Sequence, residues 1–148
     1  MPHVRDTATR LAHGGLCAAL ALSLGSCAAV LGRTATGEPG PAFPARPVQA
    51  EALNVHVFRE GRSVVLTNTT AAPLGPGRLW LNRWWSAPVE AIPIGATVSI
   101  PLSRFRDEFG WGVPGGGFFA VVAPERIVLA ELETEQGLTS LVVIAESP

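Results

Sequence analysis

From residue 49 onward, apolar residues come in alternation or in short runs, broken by Gly, Pro, Asn and Asp about every eight to twelve positions. A period of two sends successive side chains to opposite faces, so this texture predicts strands and no long helix. Strands are expected at residues 53–59, 63–68, 78–84, 89–92, 97–102, 117–123, 127–134 and 138–145. Glu60-Gly61 and Gln136-Gly137 carry hairpin-turn chemistry, and Pro124-Glu125 marks another turn. SRFRDEF, residues 103–109, departs from the pattern and predicts one helical turn, with Ser103 as N-cap, Phe105 and Phe109 four apart on one side, and Gly110 as the stop. No Glu or Gln completes a capping box there.

RLWLNRWW, residues 78–85, holds three of the four tryptophans. Read as one strand, it divides into Leu79, Leu81 and Arg83 on one face and Arg78, Trp80, Asn82 and Trp84 on the other. With the leucines inward, Trp80, Asn82 and Trp84 stand in a row as a sugar-stacking platform or protein hot spot would need. With Trp80 inward, as in many sandwiches, the cluster is packing, and Trp84 sits partly exposed at the strand end. Trp111 lies in the Gly-rich stretch GWGVPGGG, which lacks the strand-loop-helix setting of a phosphate loop and reads as a wide loop able to contact a partner.

Composition narrows the chemistry. The chain has 148 residues, 16% of them charged, with a formal net charge of -1, which indicates neither disorder nor a nucleic-acid surface. All 11 basic residues are arginines, and the missing lysine removes Walker-type phosphate loops, Schiff-base lysines and Ser/Lys nucleophile pairs. His56 is the one histidine beyond the first segment, too few for a zinc site, and no nucleophile elbow exists to build a triad from His56, Ser63 and Asp107. Glu131, Glu133 and Glu135 alternate along ELETE, so a strand puts all three on one face. Such a row can serve as an acid and base pair or as oxygen ligands for Ca²⁺, but it is first of all how an exposed strand stays soluble. No catalytic residue, metal or cofactor is implied.

The N-terminal segment reads as an address. Arg5 and Arg10 precede the apolar run GGLCAALALSLG, the order of a signal peptide, and that run falls short of the ~20 apolar residues a spanning helix needs. It ends in Leu24-Gly25-Ser26-Cys27, which resembles the lipobox of bacterial lipoproteins: a branched aliphatic, two small residues, then the cysteine. The resemblance implies that Cys27 receives a diacylglycerol on its thiol and that cleavage falls just before it. Cleavage as an ordinary secretory peptide near Ala28 or Ala29, or an uncleaved anchor over residues 11–31, are the alternatives. Cys17 would leave with the peptide, so no disulfide framework is available. Ala28, where an aspartate would mark inner-membrane retention, favours the outer membrane.

Residues 32–47, GRTATGEPGPAFPARP, then read as a flexible spacer. The organisation expected is a signal peptide over 1–26, the lipidated cysteine and tether over 27–49, and an all-β domain over 50–148 that folds without a disulfide. Seven to eight strands and one short helical turn in about a hundred residues resemble a small immunoglobulin-like or fibronectin type III-like β-sandwich, although the Cys-Trp-Cys signature of true immunoglobulin domains is absent. The function expected is that of an envelope-tethered, non-catalytic binding or structural module. Its partners would be the membrane, through the lipid, and an envelope protein or glycan.

Overall fold

The computed structural model describes residues 37–118 and 120–144. Cys27 and the whole signal segment lie outside the described residues. The domain is all-β: β1 (His56–Glu60), β2 (Ser63–Thr67), β3 (Gly77–Leu81), β4 (Trp85–Val89), β5 (Thr97–Pro101), β6 (Ala130–Thr134) and β7 (Gly137–Ile144), with one 3₁₀ turn at Leu102–Arg104. The strands form a single sheet in the order β4-β3-β6-β7-β1-β2-β5, curled into a half-barrel around its core. Every pairing is antiparallel except β1 with β7, where His56, Val57 and Phe58 lie beside Val142, Val143 and Ile144. Among the described residues no helix is long and apolar enough to cross a membrane.

The concave face carries one half of each alternation. Val57 on β1, Val64 and Leu66 on β2, Leu79 and Leu81 on β3, Ile100 on β5, and Ala130 and Leu132 on β6 join one buried cluster, which Phe105, Leu74 and Ile92 complete. The β1–β2 hairpin closes at Gly61, whose positive φ suits the turn, and β6–β7 closes between Thr134 and Gly137.

Three expectations change. First, residues 78–84 are not one strand: β3 ends at Leu81, and β4 starts at Trp85. Asn82 and Arg83, at φ 52° and 57°, form the centre of a tight turn in which Trp84 N donates to Leu81 O at 3.0 Å. Asparagine tolerates the left-handed region that such a hairpin turn requires. The later strand expected at 89–92 shrinks accordingly to the single bridge of Leu74 with Ile92.

Second, the helical turn is shorter and starts two residues earlier, with Pro101 as its N-cap residue and no side-chain cap bond. Phe105 is fully buried while Phe109 is exposed, because the chain is already extended at Phe105. Asp107 organises the turn beyond it: its Oδ1 accepts from the backbone N–H of Phe109 at 2.9 Å and of Trp111 at 2.7 Å. Third, residues 117–118 and 120–123, expected within one strand, form a loop; three consecutive glycines and a closing proline flank that apolar run.

A deeper anchor holds the segment after β2. Asn68 is fully buried, and its Nδ2 donates to the carbonyls of Ala72 and Ile92, both at 2.9 Å. Its Oδ1 accepts from Thr70 N at 3.0 Å and Thr70 Oγ1 at 2.7 Å. One side chain thus satisfies a whole loop.

Candidate functional site

The convex face of β3 and β6 is where the sequence places most of its chemistry, and the register explains what it becomes. Trp80 lies opposite Glu131, and Arg78 opposite Glu133, so the tryptophan and two of the three ELETE carboxylates share this face. An exposed tryptophan with acids beside it would make a platform. It is covered instead.

The cover is the segment 37–49, expected as part of a free spacer. Gly40 N donates to Asp107 O at 2.8 Å beyond the β4 edge, and Gln49 bridges to Leu138 on β7, with Leu138 N donating to Val48 O at 2.7 Å. Between these ends the chain crosses the sheet as a strap, and Phe43 sets its ring edge-on to Trp80 with centroids 5.1 Å apart. Both landing points need glycine. A Cβ on Gly40 would press on the Arg106 carbonyl, and one on Gly137, at φ 123°, on that of Val48.

Beneath the strap the polar groups are paired. Trp80 is 1% exposed, and its Nε1 donates to Glu133 Oε2 at 2.7 Å. Glu131, as deeply buried, accepts two bonds of 2.8 Å from Arg83 Nε and Nη2, a fork-on-carboxylate pairing reaching in from the turn. The hydrogen bonds and charge of Glu131 raise the Arg83 pKa above its already high value, so the guanidinium stays charged. Its flat face rests 5.3 Å from the centroid of the Phe43 ring. The acidic row expected as a solvated face is therefore graded: Glu131 buried, Glu133 partly buried, Glu135 exposed.

The four sequence candidates part company here. Trp80 belongs neither to the concave core nor to an open platform. Asn82 is spent on structure: its Oδ1 accepts from Val128 N and Leu129 N, and its Nδ2 donates to Arg126 O and Glu125 Oε1. Trp111 is half-buried, its backbone fastened to Asp107. Trp84 alone presents an indole outward, 52% exposed. It lines a groove of about 210 Å³ with Pro41, Ala42 and Phe43 of the strap, Arg83, Asp107 and Glu108.

That groove combines an exposed indole, a cation and an exposed carboxylate on Glu108. It offers stacking and hydrogen bonding to a small polar ligand. A second groove of about 310 Å³ lies on the strap's other flank, lined by Arg46, Val48, Glu133, Glu135 and Gln136 among others, with no aromatic ring. Among the described residues no group of three His, Cys, Asp or Glu is placed to hold a metal ion.

Phe43 and Arg83 escaped the sequence reading. Phe43 had a signal, as the sole aromatic in the Pro- and Gly-rich stretch 32–47. Because the Trp84 ring is half in water, Trp84→Ala is expected to change unfolding stability by no more than about 0.5 kcal/mol in urea melts, which leaves it a clean probe of binding. Compared with known protein families, curated proteins and solved structures, the chain finds no match in any of the three.

Proposed function

We propose that this is a bacterial envelope lipoprotein, tethered through Cys27, whose β-domain is a non-catalytic binding or structural module of sandwich type, curled over one core. The observation that carries the reading is Leu24-Gly25-Ser26-Cys27 at the end of an Arg-led apolar run. The docked strap is compatible with it: about ten residues then remain between the acylated cysteine and the start of the described chain at Gly37, a short leash. The test is metabolic labelling with an alkyne fatty acid. Wild type is expected to take up label and run at the processed size, whereas Cys27→Ala is unlabelled and stays as precursor; equal labelling of the two overturns the reading.

A narrower second reading, binding of an envelope glycan, is favoured by the exposed Trp84 indole beside Glu108 in one groove. It rests on one tryptophan, since Trp80 is covered. Retention of the full chain on peptidoglycan sacculi is expected to fall to background in Trp84→Ala. Wild-type protein that washes through removes the glycan and leaves a structural or assembly role.

A further inference from the structure

Between Val113 and Ile127, both buried at the core, the chain makes an excursion with an unusual composition. Residues 115–124, GGGFFAVVAP, contain no charged and no polar side chain. Such a run normally supplies core. Here Phe118 is 96% exposed, Val121 93% and Val122 46%.

The loop is held in this outward position by its neck. Glu125 N donates to Pro114 O at 2.9 Å, and Gly116 lies tightly against the Pro124 ring. From β1, Arg59 clasps both sides at once, its Nη2 on Gly115 O at 2.9 Å and its Nη1 on Glu125 O. Asn82 fixes the exit through Arg126 O and the Glu125 carboxylate. The base is therefore fastened while the apolar tip faces water, an arrangement that raises free energy unless something apolar receives the tip.

We propose that this loop is a membrane-docking element whose exposed Phe118, Val121 and Val122 enter the headgroup and acyl boundary of a bilayer. Two observations select a bilayer over other occupants. The neck carries Arg59, Arg62 and Arg126 against Glu60 and Glu125, a cationic excess at the height where anionic headgroups would lie. The described chain also begins beside the loop's root: Gly37 is packed against the Arg106 side chain, and Arg106 bridges to Gly112, six residues before Phe118. In sequence, a lipid on Cys27 would be attached ten residues before Gly37. The anchor rests on the lipoprotein reading; the loop's composition, exposure and clasped neck do not.

The experiment places an environment-sensitive fluorophore at Val121→Cys in the mature full-length protein, where acylation of Cys27 leaves the new thiol as the single free one. A control probe sits at Ala91→Cys, past the end of the β3–β4 hairpin opposite Asn82. In vesicles of phosphatidylethanolamine and phosphatidylglycerol, the Val121 probe is expected to shift to the blue and to be quenched by acyl-chain spin labels, with the Ala91 probe unchanged. A Val121 probe that stays in water on acylated protein overturns the proposal, and shielding of that probe only in whole envelopes would assign the loop to a protein partner. Intact mass separates the two readings. If Cys27 carries no acyl group, the same probe on a Cys27→Ser background is mixed with vesicles: a shift keeps the loop and removes the anchor, and no shift removes both.

Discussion

Trp80→Ala is expected to lower unfolding stability by about 3 to 5 kcal/mol, the largest loss of any single substitution in the domain. The indole is sealed between the convex face of β3 and the strap, so its removal leaves a void lined by Phe43 and by Glu133, which loses the Nε1 donor. Part of that void can close by movement of the strap, which is tied down by backbone bonds near its two ends, at Gly40 and at Val48 to Ala50, and this sets the lower figure. Urea melts of the full chain, read at unchanged slope, measure it. Trp80→Phe keeps most of the packing and loses only the hydrogen bond, so it should recover most of the difference. A loss under about 1 kcal/mol for Trp80→Ala would mean that the strap does not seal this face in solution.

Asn68→Ala comes second, at about 3 kcal/mol. The residue is fully buried, and the four bonds of its amide all go to Thr70, Ala72 and Ile92. The loss exceeds that of an ordinary hydrogen bond because the bonds to the Ala72 and Ile92 carbonyls and to Thr70 are lost together, although Thr70 Oγ1 still serves Ala72 O and Leu74 N still serves Ile92 O. Asn68→Asp is expected to be no better, since it removes both donors and sets a carboxylate in the same place. Recovery of wild-type stability by Asp would show that the remaining donors, Thr70 Oγ1 to Ala72 O and Leu74 N to Ile92 O, are enough for this loop.

The alternation made the strands legible wherever one face is buried and the other is not. β1, β2, β5, β6 and β7 fall within the segments that periodicity predicts or overrun them by one residue, although β1 and β6 begin three residues later than expected. It misled where both faces are covered. Leu79, Trp80 and Leu81 are all buried, so β3 has no polar side, and a stretch apolar on both faces does not announce where it turns. Asn82-Arg83 lacks the glycine that usually marks a tight hairpin, and the left-handed turn there is stabilised by Asn82 bonding to residues 125–129, far away in sequence. At 117–123 the failure is of another kind. Strand-like composition needs a neighbouring strand to become one, and here the glycines and the Arg59 clasp lead the chain away from any edge. The candidate site was legible in residue type and illegible in geometry: Trp84 could be named, but its groove is made by a strap whose docking depends on one ring in a proline-rich stretch.

The parallel pairing of β1 with β7 has a consequence for how the molecule forms. β7 is the last of the described strands, yet it sits in the middle of the sheet between β6 and β1, and His56 finds its neighbour only at Val142. The hairpins β1–β2 and β3–β4 can form early from local contacts, but the two halves share no core until the final strand arrives. Such long-range pairing makes for slow closure. A ribosome-bound chain would therefore stay open until residues 137–144 are free of the exit tunnel.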